Sequence, residues 1–267
     1  MSQGGASYGG SHGMGGGGGA GGAAKAAAPA APQTREQQLL AQIKGNPAAL
    51  MQMSDQDAAD TVDAIAKQSI RTDGTQNDTF IQRYLNAIGF SEPKPELLSD
   101  TAYEKARKKA GEASMYHADK NFGGKTGDTF STQLQSGNMM FSCNGYYGAG
   151  TYWAWDSAGA SGGYGPYQVK AFLNGKAKIV TIAQLDQLSN KFAASHPRTY
   201  AKLVKARAGY GGGDETLYSF IAASHGYNVI QRSPQKHTGA YMVTLDRSVL
   251  TMSKKINKNA SRYTMNW

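Results

Sequence analysis

The sequence predicts an α+β protein, with a helical N-terminal module beside a mainly antiparallel core. Three observations predict it. Apolar residues recur at helical spacing before about residue 110, as in Leu39, Leu40 and Ile43 or Val62, Ile65 and Ala66. From Ala113 onward, short runs of β-branched and aromatic residues are divided by glycine-rich turns. Helical patterns then return between the later strands. The division expected is a tail over 1–34, a helical module over 35–110 and a core over 111–267.

The tail opens with twelve glycines in residues 1–22 and continues almost entirely as Ala and Pro to residue 32. It has too little apolar side-chain surface to offset its ordering entropy, so disorder is expected there. In the helical module, Ser54 with Asp57 three residues on resembles a capping box that uses Asp in place of Glu. Thr79, Ile81, Tyr84, Leu85 and Ile88 form an amphipathic run closed by Gly89. Pro93 and Pro95 break the pattern, and Ser99 or Asp100 caps a further helix through Tyr103 to about Lys109.

Strands are expected over 114–117, 139–142, 151–155, 168–173, 178–180, 228–230 and 241–245. Helices are expected over 181–194, 198–206 and 215–224, and a mobile glycine-rich loop over 207–213. Residues 146–165 stand out, with the sequence YYGAGTYWAWDSAGASGGYG. A turn at Gly148-Ala149-Gly150 would let the backbone take φ > 0 or approach a ligand closely. The aromatic strand beginning at Thr151 follows directly, and a small-residue run then ends at Tyr164. Tyr152 and Tyr164 would face each other across a flat ligand.

No stretch has the basic start and apolar centre of a signal peptide, and none is apolar over the length of a membrane span. Cys143 is the single cysteine, which excludes an internal disulfide and fits a reducing compartment. A soluble protein of the host-cell cytoplasm or of a virion is expected, without membrane association. The formal charge of +9 is concentrated outside the tail. Two basic clusters, Lys105, Arg107, Lys108 and Lys109, and Arg247, Lys254, Lys255, Lys258 and Arg262, read as solvated helix and tail surfaces. Neither has the aromatic interleaving of a single-strand nucleic-acid binder.

Several familiar chemistries are excluded. Gly124-Lys125-Thr126 is not a phosphate-binding loop, because the first glycine of that motif would fall at Asp119. The five histidines are scattered without HExxH or cysteine partners, which argues against zinc. GxSxG occurs at Gly5 and at Gly159, but neither directly follows an apolar strand as a nucleophile elbow requires.

What remains is an ordered series: a strand ending at His117-Ala118, then Gly148-Ala149-Gly150-Thr151-Tyr152-Trp153-Ala154, then 157–164 ending at Tyr164, then GYNVI and YMVTLDRSVL. That series resembles the ADP-ribosyltransferase fold, in the branch of diphtheria toxin and the poly(ADP-ribose) polymerases. There a His-Gly strand, a G-x-G-[IVT]-Y-F-A strand and a second tyrosine recur in this order. The resemblance spans about 113–251 and implies an antiparallel split-sheet core that takes NAD as substrate.

It further implies that Tyr152 and Tyr164 sandwich the nicotinamide and that His117 hydrogen-bonds a ribose hydroxyl. The backbone at Ala118 would pair with the carboxamide, and Gly150 would belong to the same site. The family's catalytic glutamate falls at Ala240 or Met242, neither of which can accept a proton. A replacement acid would come from Asp246, or from Glu215 or Asp214, each of which also reads as an ordinary cap or helix start.

Three readings follow. The first is an NAD-dependent ADP-ribosyltransferase acting on a protein or nucleic-acid acceptor. The second is a catalytically inactive relative with a binding or structural role. A phage virion component is one such role, with assembly partners met through the N-terminal region, because NDTFIQRYLNAIGFSEPKPELL resembles segments that precede such domains in phage-encoded proteins. The third is a Gly/Tyr-rich structural protein, against which the ordered series argues.

Overall fold

The computed structural model of the chain describes residues 32–68, 80–90, 94–119, 142–145, 148–156, 167–207, 217–232 and 241–258. The tail over 1–31, Thr79, the expected strand start at 139–141, Tyr164, the loop over 208–213, Asp214, Glu215, Ala240 and Arg262 lie outside the described residues.

Helix α1 (Arg35–Ile43) begins at Thr34, where a full capping box with Gln37 satisfies two terminal amides. In α2 (Asp55–Ala66) the Ser54 hydroxyl accepts the Asp57 amide at 3.1 Å. The Asp57 carboxylate pairs with Arg35, so this box is half made and the spare acid ties α2 to α1. Helix α3 (Phe80–Ala87) buries Phe80, Ile81, Tyr84 and Leu85. Helix α4 (Asp100–Ala110) takes Ser99 as its N-cap and ends at Gly111, whose φ of 69° is the left-handed conformation that favours glycine.

The sheet is mixed. Strands β1 (Glu96–Leu98), β2 (Met115–Asp119), β4 (Gly148–Ala154), β5 (Tyr167–Leu173), β6 (Ile179–Thr181), β7 (Val229–Gln231), β8 (Tyr241–Thr244) and β9 (Leu250–Ser253) run in the order β1-β9-β5-β2-β4-β8-β7-β6. Strand β3 (Ser142–Gly145) joins β4, and β10 (Asn257–Lys258) joins β5. Among the described residues the β1–β9 and β6–β7 ladders are parallel and the others antiparallel. The α+β architecture and the antiparallel majority follow the sequence, whereas the parallel edges and strands β1, β9 and β10 do not.

Between β6 and β7 lie α5 (Ile182–Ser195), α6 (Pro197–Arg207) and α7 (Tyr218–Ser224). Parallel neighbours need such a crossover. Helix α7 is buried on every side, so it is the centre of the helical layer. One apolar cluster joins α1, α2 and α3 to α5, α6, α7 and the helix-facing side of the sheet at Val180, Ile230 and Val243. The helices expected within 35–110 therefore share a core with elements of 111–267, and residues 34–267 form one compact unit. A second cluster on the other side of the sheet holds Met115, Trp153, Val169, Leu173, Met242, Leu250 and Met252. Among the described residues no helix is long and apolar enough to cross a membrane.

Helix α4 covers β5 and β9 through an ionic clamp. Lys170 on β5, with its side chain 13% exposed, reaches Asp100 at 2.7 Å and Glu104 at 2.5 Å. Its ammonium also lies 5.0 Å from the Tyr103 ring centre. The Lys170 hydrogen bonds hold both carboxyls below their ordinary values of 3.8 and 4.5, although burial opposes this. Burial pulls Lys170 down, but its bonds to Asp100 and Glu104 outweigh that and raise it. Depressed carboxylates stabilise the fold above their unfolded values and lose that contribution as pH falls through the folded values; the raised lysine loses its own only above 10.5.

Lys170→Met should therefore cost about 1–2 kcal/mol near neutrality, discounted because both acids are a third exposed. Urea unfolding of wild type and variant from pH 2 to 9 measures the difference. It should be flat from about 5 upward and shrink below about 4. A difference independent of pH would contradict the clamp.

Candidate functional site

The continuity of the sheet is weakest between β2 and β4. Five β2 residues pair with β5, from Met115↔Ala171 to Asp119↔Tyr167, but with β4 the single register pair is Tyr116↔Ala154. The first half of β4 pairs with β3, through Gly148 and Gly150. An unbroken antiparallel ladder would continue with His117 against Trp153 and Ala118 against Tyr152. In its place the His117 ring spans the gap: Nδ1 lies 2.8 Å from the Tyr152 carbonyl oxygen. A carbonyl only accepts, so Nδ1 carries the hydrogen.

Strand alternation then sorts the side chains. The His117 ring lies 5.6 Å from Trp153, on the side of the cluster holding Met115 and Val169. Tyr152 is half-buried and packs on the opposite, helical side, next to its register partner Val243. His117 and Tyr152 are thus joined through the Tyr152 backbone while their rings point to opposite sides. Ala118 is buried with Ala154, flanked by Tyr116 and Tyr241. Tyr164 is outside the described residues, so the expected pair of tyrosines is represented by Tyr152 alone.

Gly148-Ala149-Gly150 is not the turn expected but the start of β4. Gly150 is small for a reason internal to the sheet. A Cβ there would stand 2.3 Å from Val243 Cγ1 and 3.1 Å from the Thr244 carbonyl oxygen. The close approach it permits is that of β8.

On the Trp153 side, the indole Nε1 donates to Thr244 Oγ1 at 3.0 Å. Thr151 is buried, and its hydroxyl has no hydrogen-bond partner among the described residues. Met242 pairs with Trp153 and Gln231 and is 1% exposed. It is a core residue, with no acid function to offer. Asp246 caps the turn of 3₁₀ helix at Arg247–Val249, where its carboxylate accepts the Ser248 amide at 2.8 Å. Arg247 departs from the solvated cluster expected of it. It is 4% exposed, and burial lowers its pKa against the pull of Asp246.

Sequence reading did not single out the Ser195–His196 pair. His196 is buried and stacks on Phe192 at 5.2 Å between ring centres. Its Nε2 donates to the Met53 carbonyl at 3.2 Å, which leaves Nδ1 to accept the Ser195 hydroxyl at 2.8 Å in the neutral ring. Nearby, the Arg198 and Thr199 amides are both taken by Asp55, at 3.1 and 3.0 Å. No spare pair of amides faces Ser195 among these groups, so the arrangement serves to dock α5 and α6 on the N-terminal helices. Two adjacent residues at a helix end leave no periodic trace. Among the described residues, no group of three or more His, Cys, Asp and Glu is placed to hold a metal ion.

The chain matches no known protein family, no curated protein and no solved structure.

Proposed function

We propose that this chain is an NAD-binding protein of the ADP-ribosyltransferase type, which transfers ADP-ribose from NAD to a protein or nucleic-acid acceptor. The observation that supports the reading is the interruption between β2 and β4, spanned by His117 and flanked by Ala118 and by Gly150 to Tyr152. NAD supplies a glycosidic bond whose cleavage builds positive charge on the ribose. The chain would contribute aromatic surface from Tyr152 and Tyr164, while His117, whose ring lies on the other side of the sheet from Tyr152, would act by holding the Tyr152 carbonyl and so positioning that strand. Of the candidate acids, Asp246 is engaged with the Ser248 amide, and Asp214 and Glu215 are the remaining ones.

A second reading, a catalytically inactive binding or virion protein of the same type, is favoured by one observation. Met242, at a position matching the family glutamate, is sealed between Trp153 and Gln231.

Two measurements separate the outcomes. NAD at about 100 times its Kd should stabilise the native state by about 2.7 kcal/mol and raise Tm accordingly. His117→Ala and Tyr152→Ala should each abolish that increment, judged against their own unliganded Tm, while Cys143→Ala keeps it. No shift at millimolar NAD overturns both readings. A shift without nicotinamide release across candidate acceptors selects the second.

A further inference from the structure

The lysines of α4 and Lys254 and Lys255, far apart in sequence, come from segments that pack together. Helix α4 packs on β9, the Lys254 amide donates to the Leu98 carbonyl, and the Lys255 ammonium lies 3.6 Å from Asp100 at the start of α4. Lys105, Lys108 and Lys109 occupy positions i, i+3 and i+4 of α4, hence one stripe, and all three are exposed. Lys254 and Lys255 are exposed in the turn that follows β9.

The acids beneath do not neutralise this surface, because they are answered from inside. Lys170 rises from the sheet to Asp100 and Glu104, and Arg107 holds Glu104 at 3.0 Å. Five exposed lysines then outnumber Glu96 and Glu112, the remaining acids on β1 and just past α4. Among the described residues, no ion pair engages Lys105, Lys108, Lys109 or Lys254.

We propose that α4 and the β9–β10 turn form one cationic face that binds the phosphate backbone of duplex nucleic acid. Lys105 and Lys109 are separated by about 6 Å along the helix, and Asp100, the anchor of Lys255, lies about 7.5 Å before Lys105. A duplex presents a phosphate every ~3.4 Å of axis on each strand, so this span reaches several phosphates. The face lacks what other polyanion partners need. Among the described residues, no exposed aromatic interrupts the lysines to stack unpaired bases. The large exposed apolar residue among those described, Ile179, lies on β6 at the far edge of the sheet, so no apolar anchor for a lipid surface accompanies the charge. The proposal stands apart from the NAD reading and is tested without NAD.

The test is fluorescence anisotropy of the full chain with a labelled 24-base-pair DNA duplex, titrated at several NaCl concentrations. Three variants are compared: Lys105→Ala/Lys108→Ala/Lys109→Ala, Lys254→Ala/Lys255→Ala, and a control, Lys44→Ala/Lys191→Ala/Lys205→Ala, at three other exposed lysines. The first two should each weaken binding at least tenfold at low salt. The control, equal in net charge to the first, should stay within threefold of wild type. Because each phosphate contact contributes about 0.9 to the log–log salt slope, the α4 variant should flatten it by about 2–3. Absence of wild-type binding, equal losses in all three variants, or binding to phosphatidylserine vesicles in place of the duplex would each overturn the proposal. The turn variant leaves α4 intact, so a folding defect in the helix variant does not blunt the test.

Discussion

Trp153→Ala should remove about 3–5 kcal/mol of folding free energy, the range for deleting a large buried aromatic. Trp153 is among the largest fully buried side chains and is 1% exposed. Its ring sits in the cluster where β2, β5 and β9 on one side of the β2–β4 interruption meet β4, β7 and β8 on the other. Few backbone bonds cross that interruption, so side-chain packing carries much of the connection. Truncation also leaves Thr244 Oγ1 without the indole donor. Trp153→Phe keeps most of the ring and loses the donor, for an expected cost of about 1–2 kcal/mol. Urea unfolding measures both. A Trp153→Ala loss below about 1 kcal/mol, with unchanged m-value, would show that the cluster is not holding the two parts together.

Gly150→Ala should cost about 3 kcal/mol, the upper end for over-packing, although it adds one methyl group. The new Cβ would overlap Val243 Cγ1, and Val243 is β-branched, buried and held in register opposite Tyr152, so it has little room to turn. On the other side stands the Thr244 carbonyl, a backbone atom that cannot yield without moving β8. Val243→Ala in the same chain removes the nearest obstacle. The double variant should therefore be more stable than the two single losses predict by at least 1 kcal/mol, a coupling a double-mutant cycle reads directly. Additive losses would mean that Gly150 is required for some other reason, such as a ligand's approach.

Much of the fold is legible because short runs of β-branched and aromatic residues between turn signals mark single strands. Residues 168–173 and 241–245 fall within a residue of β5 and β8, and the helix expected over 181–194 matches Ile182–Ser195 within a residue at each end. Strands β1 and β9 are not legible. Each is three or four residues long, and they recognise each other across the chain, as Glu96↔Thr251. A short window carries no sign of such a partner. Arg247 is misplaced for a related reason: a charged residue grouped with the lysines from Lys254 onward reads as solvated until β9 is seen to pair with β5.

At the candidate site, His117 could be singled out, but its partner is a carbonyl, which has no side-chain signature. That Tyr152 and Trp153 face opposite ways follows from strand geometry. Which of them shares a side with His117 depends on the Tyr116↔Ala154 register, and only the folded sheet supplies that.

The β1–β9 ladder also bears on how the chain is made. Glu96 and its partner Thr251 are 155 residues apart, with the Thr251 hydroxyl on the Glu96 carboxylate at 2.8 Å. At roughly 5–20 residues per second, a ribosome exposes β1 for about 8–30 s before β9 emerges. Throughout that interval the edge that will hold Leu97 and Leu98 has no strand to lie against, and α4 has no β9 beneath it. The nascent chain must therefore carry β1 unpaired until the 155 residues that separate Glu96 from Thr251 have been made.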